Sequence, residues 1–190
     1  MKRILTFTFF LAATLVQAQE VPSEPRNGFA FPIGSKFVIK LIPRDSVNFD
    51  LSVIFYEPFR VVVDTWNHDE LFEEEGDENT IAFYFCYGTH GETEQEKTEN
   101  SQVLLLMKNY SKEALSYTSD IQRQLEGEFE STSNIGIFPN VKGMEMWPYM
   151  IYTIGLKNFK KYEFQEQNPD EDTDADSESE PEPESESESK

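Results

Sequence analysis

The chain has 190 residues, 36 acidic and 16 basic, for a formal charge of −20, with 38% hydrophobic and 14% aromatic residues. That charge disfavours binding to nucleic acid by phosphate neutralisation and adhesion to anionic lipid. A single cysteine excludes an intramolecular disulfide framework and a multi-cysteine zinc site.

The first predicted element is not part of the fold. Lys2 and Arg3 precede an apolar run from Ile4 to Val16, and the small Ala18 stands before polar Gln19 and Glu20. This is the layout of a secretory signal peptide over residues 1–18. The run is shorter than the roughly 20 apolar residues a membrane-spanning helix needs. The mature chain is therefore expected in the periplasm or outside the cell, with no integral membrane span after cleavage, at a charge near −22.

Residues 19–164 hold 24 acids and 13 bases and read as one domain. Their apolar pattern has period two, as half-buried strands require. Phe37, Ile39 and Leu41 share one face of Lys36–Ile42. Val47, Phe49, Leu51 and Val53 alternate with polar residues. Pro58 breaks the next run, and Phe59–Val63 resumes it. Thr80–Tyr87 is apolar on both faces, which suits a central strand. Gln102–Met107 and Ile135–Phe138 follow. Lys112–Glu126 reads as a strand by the 115/117/121 alternation, with a helix as the alternative. Pro148–Leu156 and Phe159–Phe164 close the series, with a turn near Asn158. Other turns are expected at Pro43–Ser46, Gly76-Asp77, Gly88–Gly91 and Lys142-Gly143. Eight or nine short strands with hardly any helix predict an all-β antiparallel β-sandwich, immunoglobulin-like by architectural analogy, with an up-and-down barrel as the alternative. The Cys…Trp…Cys spacing of true immunoglobulin domains is absent.

Several residues on these elements are candidates for chemistry. Asp64–Asn79 carries eight acids and no lysine or arginine. Asp69, Glu73, Asp77 and Glu78, with Gly76 for the turn, are oxygen donors of the kind Ca²⁺ takes, although the EF-hand pattern is not matched. His68 and His90, the only histidines, fit no ligand spacing and read as solvated loop residues. Cys86 lies in an apolar strand and reads as a buried, inert thiol. Asn109-Tyr110-Ser111 is a glycosylation sequon. Trp147-Pro148-Tyr149, among Met144, Met146 and Met150, is the densest aromatic cluster. Trp147 and Tyr149 form a ligand platform if exposed, and core if not. No serine-nucleophile signature or phosphate loop is present, and no catalytic residues or cofactor are assigned.

Residues 165–190 contain 12 acids, one lysine and Ser-Glu and Pro-Glu repeats. They are expected to form a disordered acidic tail, because they have too little apolar surface to offset their ordering entropy. The chain is expected to be a secreted, non-enzymatic β-sandwich, a binding or envelope or extracellular interaction module for a protein or carbohydrate partner. The alternative is a carbohydrate-binding or calcium-stabilised module, and a carboxylate-dependent hydrolase is a third reading.

Overall fold

Successive side chains of an extended strand point to opposite faces, so the two-sided apolar runs of this chain need cover on both sides. The computed structural model describes residues 24–163 except Ile135, so the predicted signal peptide and acidic tail lie outside the described residues. The strands are β1 (Gly28–Pro32), β2 (Ser35–Pro43), β3 (Phe49–Pro58), β4 (Val63–Asp64), β5 (Thr80–Thr89), β6 (Gln102–Asn109), β7 (Leu115–Gln122), β8 (Glu130–Thr132), β9 (Lys142–Trp147) and β10 (Thr153–Lys161). One helix, α1 (Glu94–Glu99), precedes β6, and a 3₁₀ turn covers Asp69–Leu71. A larger sheet runs β3-β2-β5-β6-β9, with β4 beside β5, and a smaller one runs β1-β10-β7-β8. All pairings are antiparallel except β4 with β5. The architecture is the expected antiparallel β-sandwich, and the segment around 115–122 is a strand.

The main core lies between the sheets. Phe37, Ile39 and Leu41 of β2 and Phe83 and Phe85 of β5 face Leu115 and Ile121 of β7 and Ile154, Leu156 and Phe159 of β10. The rings of Phe31, Phe37 and Phe83 stack with centroids 3.5 and 5.0 Å apart. The opposite face of the larger sheet has its own core of Tyr84, Cys86, Leu104 and Leu106. Val63 and Phe72 cover it, with Phe59 and Leu71 packed alongside. The acidic segment is thus a strap across the outside of the sheet, not a loop standing free in solvent.

Irregularities account for the differences from the expected strands. A register shift in β3 places both Ile54 and Phe55 opposite the step from Val38 to Ile39. The extra residue turns Phe55 outward and Tyr56 inward against the core. Phe59–Val63 is not a continuous strand, since only Val63–Asp64 pairs, parallel to Gly88–Thr89. Pro148 ends β9, so Pro148–Leu156 is split, and Lys142-Gly143 opens β9 instead of forming a turn. Near Asn158 the chain bulges within β10 and does not turn; Asn158 takes φ 56° and the register shifts between Lys157 and Lys160. Helix α1 begins with a capping box, in which the Thr93 hydroxyl accepts from the Glu96 N–H and the Glu96 carboxylate accepts from the Thr93 N–H. The β2–β3 turn is held by Asp45, whose carboxylate accepts from the main-chain N–H groups of Asn48 and Val47. Those bonds hold its pKa down at about 2.

Burial pushes the Cys86 thiol up to about 12, so it carries almost no reactive thiolate at neutral pH. Phe72→Ala removes the strap's main apolar contact, which is expected to lower stability by about 3 kcal/mol. Iodoacetamide labelling of Cys86 should then accelerate strongly over the slow native rate. Fast labelling of the native chain, at the rate of the denatured one, would contradict the strap.

Candidate functional site

Four of the expected calcium donors lie on the strap, and the structure disperses them. Asp69 receives the Lys142 ammonium at 2.7 Å, and Glu78 receives Lys112 at 2.9 Å. Those lysines lower both carboxyl pKa values. Glu73 contributes its main-chain carbonyl, not its side chain. The buried Lys108 donates to the carbonyls of Glu73 and Glu74 at 2.7 and 2.8 Å, with its ammonium 4.9 Å from the Tyr110 ring centroid. The Tyr110 hydroxyl donates to the same Glu73 carbonyl at 2.9 Å. A Cβ at Gly76 would come within 2.7 Å of the Tyr110 ring, so glycine lets the strap lie flat there. Asp77 accepts from Thr80 Oγ1 through its carbonyl at 2.6 Å. Among the described residues, no three His, Cys, Asp or Glu side chains converge as metal ligands. Lysine ammonium groups hold the acidic strap to the sheet.

The expected aromatic platform is divided in the same way. Trp147 ends β9 opposite Val103, is 7% exposed, and belongs to the main core. Tyr149 lies past the break at Pro148, is 38% exposed, and has the Arg123 guanidinium 4.3 Å over its ring. The two rings therefore do not form one stacking surface. The sequon asparagine is also committed: Asn109 is fully buried and donates to the Glu113 carbonyl at 2.8 Å. That leaves its nitrogen no room for a glycan in the folded chain.

A carboxylate not singled out by the sequence reading faces inward. Glu145 of β9 pairs with Leu105 on the core side of the sheet. It accepts hydrogen bonds from the Tyr117 hydroxyl and, at 3.2 Å, from Ser119 Oγ, both on β7 of the other sheet. Ser119 Oγ also lies 2.8 Å from Thr132 Oγ1 of β8. Burial raises the Glu145 pKa against the lowering effect of these bonds. Burial and the adjacent carboxylate raise the Tyr117 pKa well above its ordinary value. The cluster ties the edge strand of one sheet to the neighbouring strands of the other.

Among the described residues, the most exposed aromatic side chain is elsewhere. Trp66 is 77% exposed, at the end of the strap beyond β4. Its indole stacks on His90 with centroids 4.4 Å apart, and the Trp66 main-chain N–H donates to Asp64 Oδ1 at 2.9 Å. His68 Nδ1 lies 3.1 Å from the Thr65 carbonyl oxygen, which fixes the following turn. Val61 and Val62 are exposed just before β4. An adjoining cleft of about 540 Å³ is lined by Val62, Asp64, Thr89, His90, Glu94 and Lys97, among others. The signal for this site was in the sequence: Trp66 interrupts a polar, acidic stretch with no apolar alternation around it, whereas Trp147 continues an alternating strand.

No protein-family model, curated protein or solved structure matches the chain. No helix among the described residues is long and apolar enough to cross a membrane.

Two measurements test these assignments. A carboxyl pKa raised by folding contributes stability that is complete below the unfolded value, near 4.5, and is lost as pH rises through the folded value. Wild type should therefore lose stability relative to Glu145→Gln as pH rises from 4.5 toward neutrality. A difference in melting temperature that stays flat with pH would show that Glu145 is solvated. Lys108→Met keeps the apolar stem, strands the Glu74 carbonyl and leaves the Glu73 carbonyl with Tyr110 alone, so denaturant unfolding should register a loss of about 1–3 kcal/mol. An unchanged midpoint and slope would remove Lys108 as the pin of the strap.

Proposed function

We propose that the protein is a secreted, non-enzymatic β-sandwich module that binds a partner outside the cell membrane through the end carrying Trp66. The observation behind this reading is the contrast between its two tryptophans. The fold buries Trp147 and holds Trp66 almost fully in solvent on a fixed backbone. Exposed apolar surface of this kind on a soluble domain marks interaction sites, and tryptophan is the residue type most enriched among binding hot spots. The inward carboxylate, whose pKa burial raises, is occupied in joining the two sheets and so supports no hydrolytic role. A second reading, carbohydrate binding, is favoured by the indole face beside a cleft with carboxylate and hydroxyl groups.

Expressed with its own leader, the chain is expected outside the cytoplasm beginning at Gln19, read by mass spectrometry. Retention with residues 1–18 attached would overturn the secretory part of the reading. Fluorescently labelled mature protein should bind saturably to the surface of the producing cells. Trp66→Ala should weaken that binding by about tenfold or more at unchanged melting temperature. Equal binding by the variant would reject Trp66 as the recognition residue.

A further inference from the structure

We propose that Val61, Val62 and Trp66 form a docking surface for a basic polypeptide, with an arginine or lysine side chain of that partner lying over the Trp66 indole. This rests on the reading that the Trp66 end binds a partner, and it names the partner's chemistry.

The first support is the rigidity of the patch. Val61, Val62 and Trp66 are 59%, 56% and 77% exposed. The backbone between them is nevertheless held in the sheet. Val63 and Asp64 pair with Gly88 and Thr89, and the Thr65 N–H donates to the Thr89 carbonyl at 2.9 Å. The Thr65 hydroxyl donates to the same carbonyl at 3.2 Å, and His90 backs the indole. A surface presented in one conformation loses little entropy when a partner covers it.

The second support is charge. Asp64, Asp69, Glu70, Glu92 and Glu94 are exposed and stand within four residues of Trp66 or His90 in the chain. Arg60 and Lys97 are the nearby bases, and Lys97 lies 3.3 Å from Glu94. Asp69 is paired with Lys142. The local balance remains negative, on a chain of −20. A second copy, a nucleic acid, an acidic glycan and an anionic membrane would all meet like charge. A basic partner meets complementary charge, and the indole face adds a cation–π contact, for which tryptophan is the best of the aromatic side chains. A neutral sugar would use the indole and gain nothing from the net charge around it.

The test uses the full mature chain and fluorescein-labelled octa-arginine, followed by anisotropy at about 0.15 M salt. Trp66→Ala leaves the net charge and the tail unchanged, so attraction to acidic residues in general is the same in both proteins. The expected result is saturable binding that weakens by about tenfold or more in Trp66→Ala. Asp64→Asn with Glu94→Gln should weaken it several-fold and flatten its salt dependence. Trp66→Phe should retain part of the affinity, and all variants should melt with wild type. Equal binding by wild type and Trp66→Ala overturns the proposal. So does quenching of tryptophan emission by a neutral chito-oligosaccharide but not by octa-arginine, although the binding reading then survives with a sugar as ligand. Failure of both probes overturns the basic-partner inference, while loss of cell-surface binding in Trp66→Ala separately decides the broader reading.

Discussion

A β-sheet that is apolar on both faces has to be covered twice, and this constraint organises the molecule. Along β6, Val103, Leu105 and Met107 point into the sandwich while Leu104 and Leu106 point the other way, and all five are buried. The smaller sheet covers only the first set. The second is covered by the chain that joins β3 to β5, which places Val63 and Phe72 on it. By the usual area relation, each large apolar side chain removed from water contributes about 1.5–3 kcal/mol. The strap is thus an apolar cover whose outward side happens to be acidic.

That acidity sets a second requirement, because eight like charges in a short segment repel one another and the rest of an acidic chain. Lys108, Lys112 and Lys142 meet it from β6, the turn after it, and β9. Lys108 differs from the other two. Its ammonium is buried and binds carbonyl oxygens, so it acts through hydrogen bonds in a low-dielectric site, where each is stronger than in water. The other two are exposed ion pairs of small individual value. Lys108 therefore shares the polar attachment of the strap with the Tyr84 and Tyr110 hydroxyls, which donate to the Leu71 and Glu73 carbonyls, and Phe72 carries the apolar part. A lysine that continues the alternation of β6 performs the holding role for which the acids alone had suggested a metal ion.

Much of this was legible in the sequence, and the rest was hidden for identifiable reasons. The alternation of Phe37, Ile39 and Leu41 is local and translated directly into an inward face. The two-sided run of β5 correctly indicated a central strand. What covers its second face depends on long-range packing that no local period reports, so the strap's contact with the sheet is not legible in its acidic sequence. The outward turn of Phe55 depends on one extra residue in β3, and the bulge at Asn158 on one residue in a left-handed conformation. Both shift phase without altering composition. Helix α1 was marked by its capping box and missed because it is short and has no buried face. Glu145 was hidden because its inward direction follows only once Trp147, two positions on, is known to face the core and not a ligand.

The two tryptophans show how the same residue type acquires different roles from its strand context. Trp147 follows Met144, Glu145 and Met146 on an edge strand, where alternation alone sends it into the core, as it sends Glu145. The core tolerates Glu145 because Tyr117 and Ser119 supply donors, so the fold accepts a polar side chain inward rather than break register. Trp66 comes after the last paired residues of the strap, where no alternation operates and no facing sheet exists to receive it. A tryptophan left there by chance would be free to fold back onto the nearby apolar strap. Instead the imidazole of His90 stacks on the indole, while the Trp66 main-chain N–H donates to Asp64 Oδ1 and fixes the backbone that carries the ring. The fold thus leaves an apolar ring 77% exposed, with the imidazole of His90 against it and a paired backbone beneath it, and this arrangement is what the proposed binding role rests on.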